Sequence, residues 1–190
     1  MTSVVNGLLD DWCNGWLGRA KHMPSPNYNC RPEGAVVNLL VIHNISLPPG
    51  QFGTPYIERL FQNNLSWDEH PYFKTIEGLE VSAHFLIKQD GELVQFVSCD
   101  DRAWHAGASS FCGKESCNDY SIGIELEGTD TAPYTDAQYL ALVTLSRQLQ
   151  TAFPEITTSR IKGHSDIAPG RKTDPGESFD WTRYLNALDV

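Results

Sequence analysis

Three segments carry residue types suited to hydrolytic chemistry. They are VIHNISLPPG at residues 41–50, IGIELEG at 122–128 and GHSDIAPGRKTDPG at 163–176. Together they supply two histidines, His43 and His164, and several carboxylates. Imidazole and carboxylate groups are ordinary zinc ligands, and a catalytic zinc keeps three protein ligands and one open position for water. One interpretation is therefore a zinc site that activates water.

The third segment offers two candidate carboxylates, Asp166 and Asp174, for completing such a site. Lys172 lies two residues before Asp174, so in an extended stretch the two side chains project to the same side. A cation beside a metal ligand is well placed to meet the oxyanion that forms during amide hydrolysis. The alternative interpretation is a surface loop with ordinary charges.

A candidate general base lies in the second segment. Residues 120–127 (YSIGIELE) alternate strictly, so Glu125 and Glu127 share one face of a predicted strand. A carboxylate on a central strand is unusual unless it is paired or functional, and beside an activated water it can accept a proton. We favour Glu125 over Glu127 because it lies deeper in the strand. An exposed strand face is the alternative for both.

Four other residues are weaker candidates for lining a substrate pocket. Asn44 follows His43 and could donate a hydrogen bond to substrate, and Trp104 lies in a small-residue loop where an indole could stack on a sugar. His84 and His105 could bind substrate or add to metal affinity. Each also has a structural alternative, as a loop anchor for Trp104 or a hydrogen-bonded interior histidine.

The strands that must position these residues can be read from the hydrophobic pattern. Residues 36–42 (VVNLLVI) form a near-continuous apolar run, typical of a strand buried on both faces, and His43 follows it. Asp90-Gly91 separates two alternating runs, 83–88 and 93–98, which predicts a hairpin. A short strand at 161–164 would end at the second histidine, at the sheet edge where ligands bind.

Helices are predicted between these strands. Their ranges are Leu8 to Ala20, Pro55 to Gln62, Thr135 to about Phe153, and Phe179 to Leu188. Thr135 and Gln138 have the spacing of a capping box. The pattern predicts an α/β (α+β) fold, with one domain over residues 1–190 and a central mixed sheet flanked by helices. Residues 1–35 would form a helix and an arm packed on that body.

The composition of the chain limits the kinds of partner that it is expected to bind. The chain has 190 residues and a formal net charge of -10, which disfavours nucleic acid and anionic membranes and favours a small soluble substrate. No apolar stretch is long enough to span a membrane, and the first residues lack a signal-peptide pattern, so we expect a cytoplasmic monomer. Five cysteines without a CxxC pair are expected to be reduced thiols, although Cys112 and Cys117 could pair or bind metal.

The three segments, together with the strings PSPNYNCRP, VSAHFLI, DRAWHAG and FDW, resemble the AmpD type of cytoplasmic N-acetylmuramyl-L-alanine amidases. That type belongs to a superfamily with type 2 amidases and peptidoglycan recognition proteins, and the likeness runs over about residues 24–184. The resemblance implies a Zn²⁺ cofactor. By position it implies the ligands His43, His164 and Asp174, with Glu125 as acid/base and Lys172 as oxyanion stabiliser, and it places in the pocket Asn44, His84, Trp104 and His105.

The resemblance also implies a reaction. Enzymes of this type cleave the amide between the lactyl group of 1,6-anhydro-N-acetylmuramic acid and L-alanine in soluble muropeptides. The process is cytoplasmic peptidoglycan recycling, which indirectly regulates β-lactamase in some bacteria. Two other classes stay open from the sequence: a peptidoglycan sensor without turnover, and an amidase that attacks the intact wall.

Overall fold

The computed structural model describes residues 11–189, and it builds them around one central sheet. Within that range the α-helices are α1 (Tyr56–Phe61), α2 (Asp136–Ala152), α3 (His164–Ile167) and α4 (Trp181–Leu188). The strands are β1 (Trp12–Cys13), β2 (Trp16–Leu17), β3 (Lys21–His22), β4 (Tyr28–Cys30), β5 (Leu39–Ile45), β6 (Phe85–Ile87), β7 (Leu93–Gln95), β8 (Asp101–Ala103), β9 (Ser110–Phe111), β10 (Lys114–Glu115), β11 (Ser121–Glu127) and β12 (Ile161–Gly163). Short 3-10 helices cover Pro71–Ile76, Cys117–Asp119 and Thr158–Arg160.

The central sheet has the strand order β12-β5-β11-β6-β7-β3 in the described part of the chain. Strands β12, β5, β11 and β6 run parallel to one another, β6 and β7 form an antiparallel hairpin, and β3 pairs with β7 in parallel. The sheet is therefore mixed, and its two longest strands, β5 and β11, lie side by side at its centre. Both are buried along most of their length, as a parallel sheet covered on two faces requires.

Each face of the sheet has its own apolar core. On one face, Ile122, Ile124 and Leu126 of β11 pack against α2, which contributes Leu142 and Leu145. On the other face, Leu86 and Val94 of the hairpin pack against α1 and the 3-10 helix at 71–76. This arrangement of helices on both faces confirms the predicted fold class.

Most predicted elements are present with small shifts in their boundaries. The Asp90-Gly91 hairpin, the strand ending at Glu127, and α1 and α4 are confirmed. The capping box at Thr135 is also confirmed, since its hydroxyl accepts a hydrogen bond from the Gln138 amide. The first long strand begins at Leu39 and continues to Ile45, so His43 lies within it and does not follow its end.

The predicted helix from Leu8 to Ala20 is wrong for the residues that can be described, 11–20, while its first three residues lie outside the described range. In its place, β1 and β2 form a hairpin around Asn14 and Gly15, both of which have positive φ. Two consecutive residues with positive φ fit a type I′ turn and exclude a right-handed helix. The Asn-Gly pair was a hairpin signal that outweighed the apolar pattern.

No helix among residues 11–189 is both long and apolar enough to cross a membrane.

Candidate active site

Neighbouring strands place the first predicted ligand beside the candidate base. In the parallel ladder between β5 and β11, His43 is the register partner of Glu125. Ile42 and Ile124 point into the core beneath α2, so the next residue along each strand points to the opposite face. His43 and Glu125 therefore project together from the sheet face that α2 does not cover.

The loop after β12 brings in the other two predicted ligands. His164 begins α3 directly after that strand, and the Ser165 amide donates to the Asp174 carbonyl across 3.0 Å. Asn44 closes the loop from the other side, because its amide group donates to the Pro175 carbonyl at 3.1 Å. The two ends of the loop are thus fixed, and Asp174 is held over His164.

The three predicted ligands converge. His43 Nδ1 lies 2.9 Å from His164 Nδ1, and each of these nitrogens lies 3.0 Å from Asp174 Oδ2. A tetrahedral site with ligand bonds of about 2.0–2.1 Å has edges only slightly longer than this. Both histidines are buried, and burial lowers the pKa of His43 to about 4, which favours the neutral imidazole that a metal requires.

The outer nitrogen of His164 shows why this cluster fits a cation. His164 Nε2 lies 3.0 Å from the Ala106 carbonyl, which can only accept, so Nε2 carries the proton. In the neutral ring Nδ1 then presents a lone pair to the Asp174 carboxylate. Two electron-rich atoms at 3.0 Å repel each other unless a positive charge lies between them. His43, His164 and Asp174 are therefore a group that could hold a metal ion.

Glu125 and Glu127 share a strand face but have different surroundings. The Glu127 carboxylate accepts hydrogen bonds from the amides of Gly53 (2.6 Å) and Gln89 (3.2 Å). Glu125 Oε2 is buried without a hydrogen-bond partner in the described residues. Burial raises the pKa of the Glu125 carboxyl well above its usual range, and the nearby Asp174 charge adds to this. Glu125 is thus the carboxylate with capacity for proton transfer.

Two cations follow the ligand His164, and they have different surroundings. Lys172 is exposed and lines the cavity that contains Glu125 and Asp174, and it forms no ion pair within residues 11–189. Arg171 points the other way, where its guanidinium donates to the carbonyls of Ala106 (2.6 Å) and Ala108 (2.7 Å). Lys172 can meet a substrate, while Arg171 holds the loop that supports His164.

A cavity of about 240 Å³ opens beside the three ligands. Trp104 and His105 lie on its wall with Glu125 and Lys172, and the rest of the wall is mostly apolar, with Leu47, Leu60, Phe61, Tyr72, Ile76, Leu79 and Val81. On the far side of Asp174 a second depression of about 470 Å³ has a polar lining, including Thr129, Asp130, Thr131, Arg171 and Thr173. Asn44, Lys172 and Asp174 line both, together with Ile45, Ser46 and Tyr72, so the two depressions adjoin along this edge of the cluster.

Three residues that the sequence offered as candidates have other contacts in the structure. Asp166 does not join the cluster, because its carboxylate accepts from the Gly163 amide at 2.8 Å at the start of α3. His84 is fully buried and does not line the cavity, so the structure does not support a substrate contact for it. Asn44 lines the cavity, but its amide group donates to Asp130 and Pro175, which argues against the predicted donation to substrate.

Sequence reasoning missed several supporting groups. The Ala106 carbonyl and Arg171 orient His164, and Tyr72 forms part of the cavity wall from a segment for which the sequence predicts neither a helix nor a strand. A backbone carbonyl has no sequence signature. The Pro71-Tyr72-Phe73 run, which begins a 3-10 helix capped by His70, was the one available signal.

Comparison with known proteins agrees with this geometry. The sequence profile of a family described as N-acetylmuramoyl-L-alanine amidase matches residues 33–177. The 1,6-anhydro-N-acetylmuramyl-L-alanine amidase AmpD of Enterobacter cloacae is 58% identical over 171 residues, covering 90% of this chain and 91% of that protein.

Two solved structures extend the comparison. A selenomethionine derivative of AmpD superposes with a TM-score of 0.90 at 56% identity, covering 93% of this chain and 98% of that one. AmpDh3 from Pseudomonas aeruginosa, solved in complex with an anhydromuramic pentapeptide, gives 0.60 at 30% identity, with 82% and 61% coverage. A profile match over most of the chain and 58% identity to a full-length relative lead to one conclusion: this chain belongs to the N-acetylmuramoyl-L-alanine amidase family.

Proposed function

We propose that this chain uses Zn²⁺ to hydrolyse the amide between the lactyl group of 1,6-anhydro-N-acetylmuramic acid and L-alanine in soluble muropeptides. We place this reaction in cytoplasmic peptidoglycan recycling, with the chain acting as a monomer. The single observation that carries the proposal is Glu125. A buried carboxylate with an unpartnered oxygen lies beside a cluster of two imidazoles and one carboxylate, which is the pairing that a water-activating metal site needs.

The donor set supports zinc. His43 and His164 supply nitrogen and Asp174 supplies oxygen, a combination typical of catalytic zinc, with three protein ligands and one position left for water or substrate. A fourth ligand would close a structural site, but all five cysteines are free in the structure and none belongs to the cluster. Bound zinc would lower the pKa of water toward about 7 and polarise the substrate carbonyl.

The protein groups supply the proton transfers and the charge. Glu125 removes a proton from the attacking water as the new C–O bond forms. Lys172 stabilises the negative charge that develops on the carbonyl oxygen. The C–N bond then breaks, and Glu125 returns the proton to the departing nitrogen of L-alanine. The burial that raises the pKa of Glu125 makes its carboxyl a strong enough base to hold that proton between the two steps.

The two depressions support an orientation for the substrate. The apolar wall with Trp104 offers an indole face for the anhydro sugar, since sugar rings stack on aromatic groups. The polar depression beside Thr129 and Thr173 offers hydrogen-bonding groups to the stem peptide. The scissile amide would then lie between them, at the metal cluster. The binding of an anhydromuramic pentapeptide by the related AmpDh3 is consistent with this ligand class.

The test combines metal content with product analysis. The purified protein is expected to contain about one equivalent of zinc by elemental analysis and to release free peptide from soluble anhydromuropeptide. Intact sacculi, offered at equal amide concentration, should be cleaved far more slowly. Binding without release of peptide would instead indicate a sensor, and faster cleavage of sacculi would indicate a wall-degrading amidase. Either result would refute the proposal.

A further inference from the structure

We propose that His105 is a positioning residue for the metal centre: its neutral imidazole accepts the Nε2–H of His43 and so directs His43 Nδ1 to the metal. This inference rests on the proposed function, because it concerns the same site. Of the two roles that the sequence left open for His105, it favours a contribution to metal affinity over a substrate contact.

The contacts of His105 leave no ring nitrogen for substrate. Its Nδ1 lies 2.9 Å from His43 Nε2, and its Nε2 lies 3.1 Å from the hydroxyl of Ser121, a fully buried residue on β11. The rings of His43 and His105 meet edge to face with centroids 5.0 Å apart. His105 lines the cavity, but both of its ring nitrogens are engaged by protein groups.

The protonation pattern follows from the metal cluster. His43 Nδ1 faces His164 and Asp174, so as a ligand it must be unprotonated, and the proton of the neutral ring is then on Nε2. That N–H needs an acceptor, and His105 Nδ1 is the atom within reach. His105 must therefore carry its own proton on Nε2, which donates to Ser121. One tautomer satisfies the whole chain of contacts.

Two features of the backbone hold the His105 ring in place. A Cβ at position 123 would lie 2.5 Å from the His105 ring, so only glycine leaves room for the imidazole above β11. The amides of His105 and Ala106 both donate to the Asn118 side-chain oxygen, at 3.2 and 2.8 Å. Because Ala106 supports His164 through its carbonyl, two consecutive residues orient both histidine ligands.

Outer hydrogen bonds of this kind usually come from carboxylates, carbonyls or water, and their loss typically costs about 10–100-fold in metal affinity or activity. A neutral histidine is a weaker hydrogen-bond acceptor than a carboxylate. It therefore orients the His43 ring without adding a negative charge beside the metal site. We therefore expect zinc affinity to depend on whether residue 105 supplies an acceptor atom, and not on the size of its side chain.

The experiment measures the zinc dissociation constant by competition with a chromogenic chelator, without substrate. His105→Phe keeps a planar ring but removes the acceptor, and it should raise the constant by about 10–100-fold. His105→Asn places an amide oxygen near the position of Nδ1, and it should restore most of that loss. His22→Phe is the matched control, since His22 lies on the edge strand β3 and contacts the Leu17 carbonyl, so its zinc affinity should equal the wild type.

A second experiment detects the proton on His43 Nε2 directly. In the zinc-loaded wild type, nitrogen-detected NMR of the imidazoles should find a slowly exchanging proton on His43 Nε2, and this signal should vanish in His105→Phe. Gly123→Ala keeps every hydrogen-bonding atom but displaces the ring, so it should also weaken zinc binding. This variant decides the question if His105→Phe does not fold.

The outcomes separate this inference from the proposed function. Equal zinc affinity in the wild type, His105→Phe and Gly123→Ala would overturn the positioning role while leaving a zinc amidase intact. An Asn variant as weak as the Phe variant, with both folded by circular dichroism, would also overturn it. A wild type that binds no zinc would overturn both.

Discussion

At the scale of single residues, Glu125 and Glu127 show that two residues of the same type can have different roles when their surroundings differ. They lie two positions apart on the same face of β11, and both are buried. Backbone amides satisfy the Glu127 carboxylate, so it stabilises the loops at Gly53 and Gln89. The Glu125 carboxylate keeps one oxygen without a partner. The first is a structural group, and the second is available for chemistry.

This difference predicts opposite phenotypes for matched substitutions. Glu125→Gln removes the proton acceptor without changing the shape, so kcat should fall by about 10²–10⁴-fold while zinc content stays at the wild-type level. Glu127→Gln replaces an acceptor oxygen with a donor that faces amide protons, so it should lower the free energy of unfolding by about 1–3 kcal/mol. Turnover assays and urea denaturation of both variants check this. A Glu125→Gln enzyme that retains near-normal kcat with zinc bound contradicts the assignment.

Lys172 allows a second residue-scale prediction. Its exposed ammonium lines the cavity, and a donor to the developing oxyanion acts mainly in the transition state. Lys172→Ala should therefore reduce kcat by about 10²–10³-fold with an unchanged zinc affinity and a smaller change in KM. Steady-state kinetics on soluble anhydromuropeptide give both constants. An effect confined to KM would show that Lys172 binds substrate without stabilising the transition state.

At the scale of elements, helix α2 is fixed to the sheet through its N-cap residue, Thr135. The Thr135 hydroxyl accepts from the Gln138 amide at 3.1 Å and donates to the Gln89 carbonyl at 2.7 Å. The Gln138 side chain in turn donates to the Glu127 carbonyl at 2.9 Å. One cap therefore joins α2 to the end of β11 and to the loop of the β6–β7 hairpin.

Removing that hydroxyl should destabilise the protein more than removing one from the last turn of the helix. Thr135→Ala is expected to cost about 1–2 kcal/mol in unfolding free energy, because it leaves the Gln138 amide and the Gln89 carbonyl without a partner. Thr151→Ala is the control, since that hydroxyl contacts only the Arg147 carbonyl within α2, and its effect should stay within about 0.5 kcal/mol. Equal effects in urea denaturation would contradict the role of the cap.

Elements whose signals are local could be predicted from the sequence. The strict alternation in β11, the Thr135 capping box and the Asp90-Gly91 turn each depend on residues within a few positions of one another. The same locality placed Glu125 on a strand and His43 at the end of one. The convergence of His43, His164 and Asp174 came from resemblance, because no local rule brings residues 43, 164 and 174 together.

Contacts between distant segments could not be predicted in this way. His84 was expected near the substrate, but the fold buries it between the Gly123 amide and the Arg31 guanidinium. The register of β6 against β11 sets that position, and the pairing is not visible in single-sequence patterns. The hairpin at Trp12 to Leu17 likewise depends on Gly15, whose carbonyl accepts from Cys99 and Gln95 far along the chain.

At the scale of the whole molecule, polar side chains from distant segments form a series of contacts that leads to the candidate metal cluster. Arg31 donates to the carbonyls of Cys99 and Ser121, and it lies 3.2 Å from His84 Nε2. The His84 ring lies 5.7 Å from that of His105, which contacts the ligand His43. The interior behind the metal cluster therefore depends on imidazoles that must stay neutral.

This burial predicts how stability varies with pH. Burial, together with the Arg31 charge, lowers the pKa of His84 to about 3, whereas a histidine in the unfolded chain titrates near 6.5. As the pH falls below about 6.5, His84 binds a proton in the unfolded chain but stays neutral in the folded chain. The stability contributed by neutral His84 is therefore complete above that value and is lost progressively toward pH 3. The slope from this one group is at most about 1.4 kcal/mol per pH unit.

The variant His84→Asn isolates that contribution. Its amide oxygen can still accept from the Gly123 amide but does not titrate, so the variant should lose less stability than the wild type between pH 6 and pH 4. Urea denaturation at several pH values measures the slope, with a chelator present so that loss of metal does not contribute. The slopes of unfolding free energy against pH for the two proteins should differ by nearly the amount expected for one proton. A constant loss of stability caused by the substitution does not change this difference. Parallel curves for the two proteins would show that His84 becomes charged without unfolding the chain, and that the polar interior accommodates the charge.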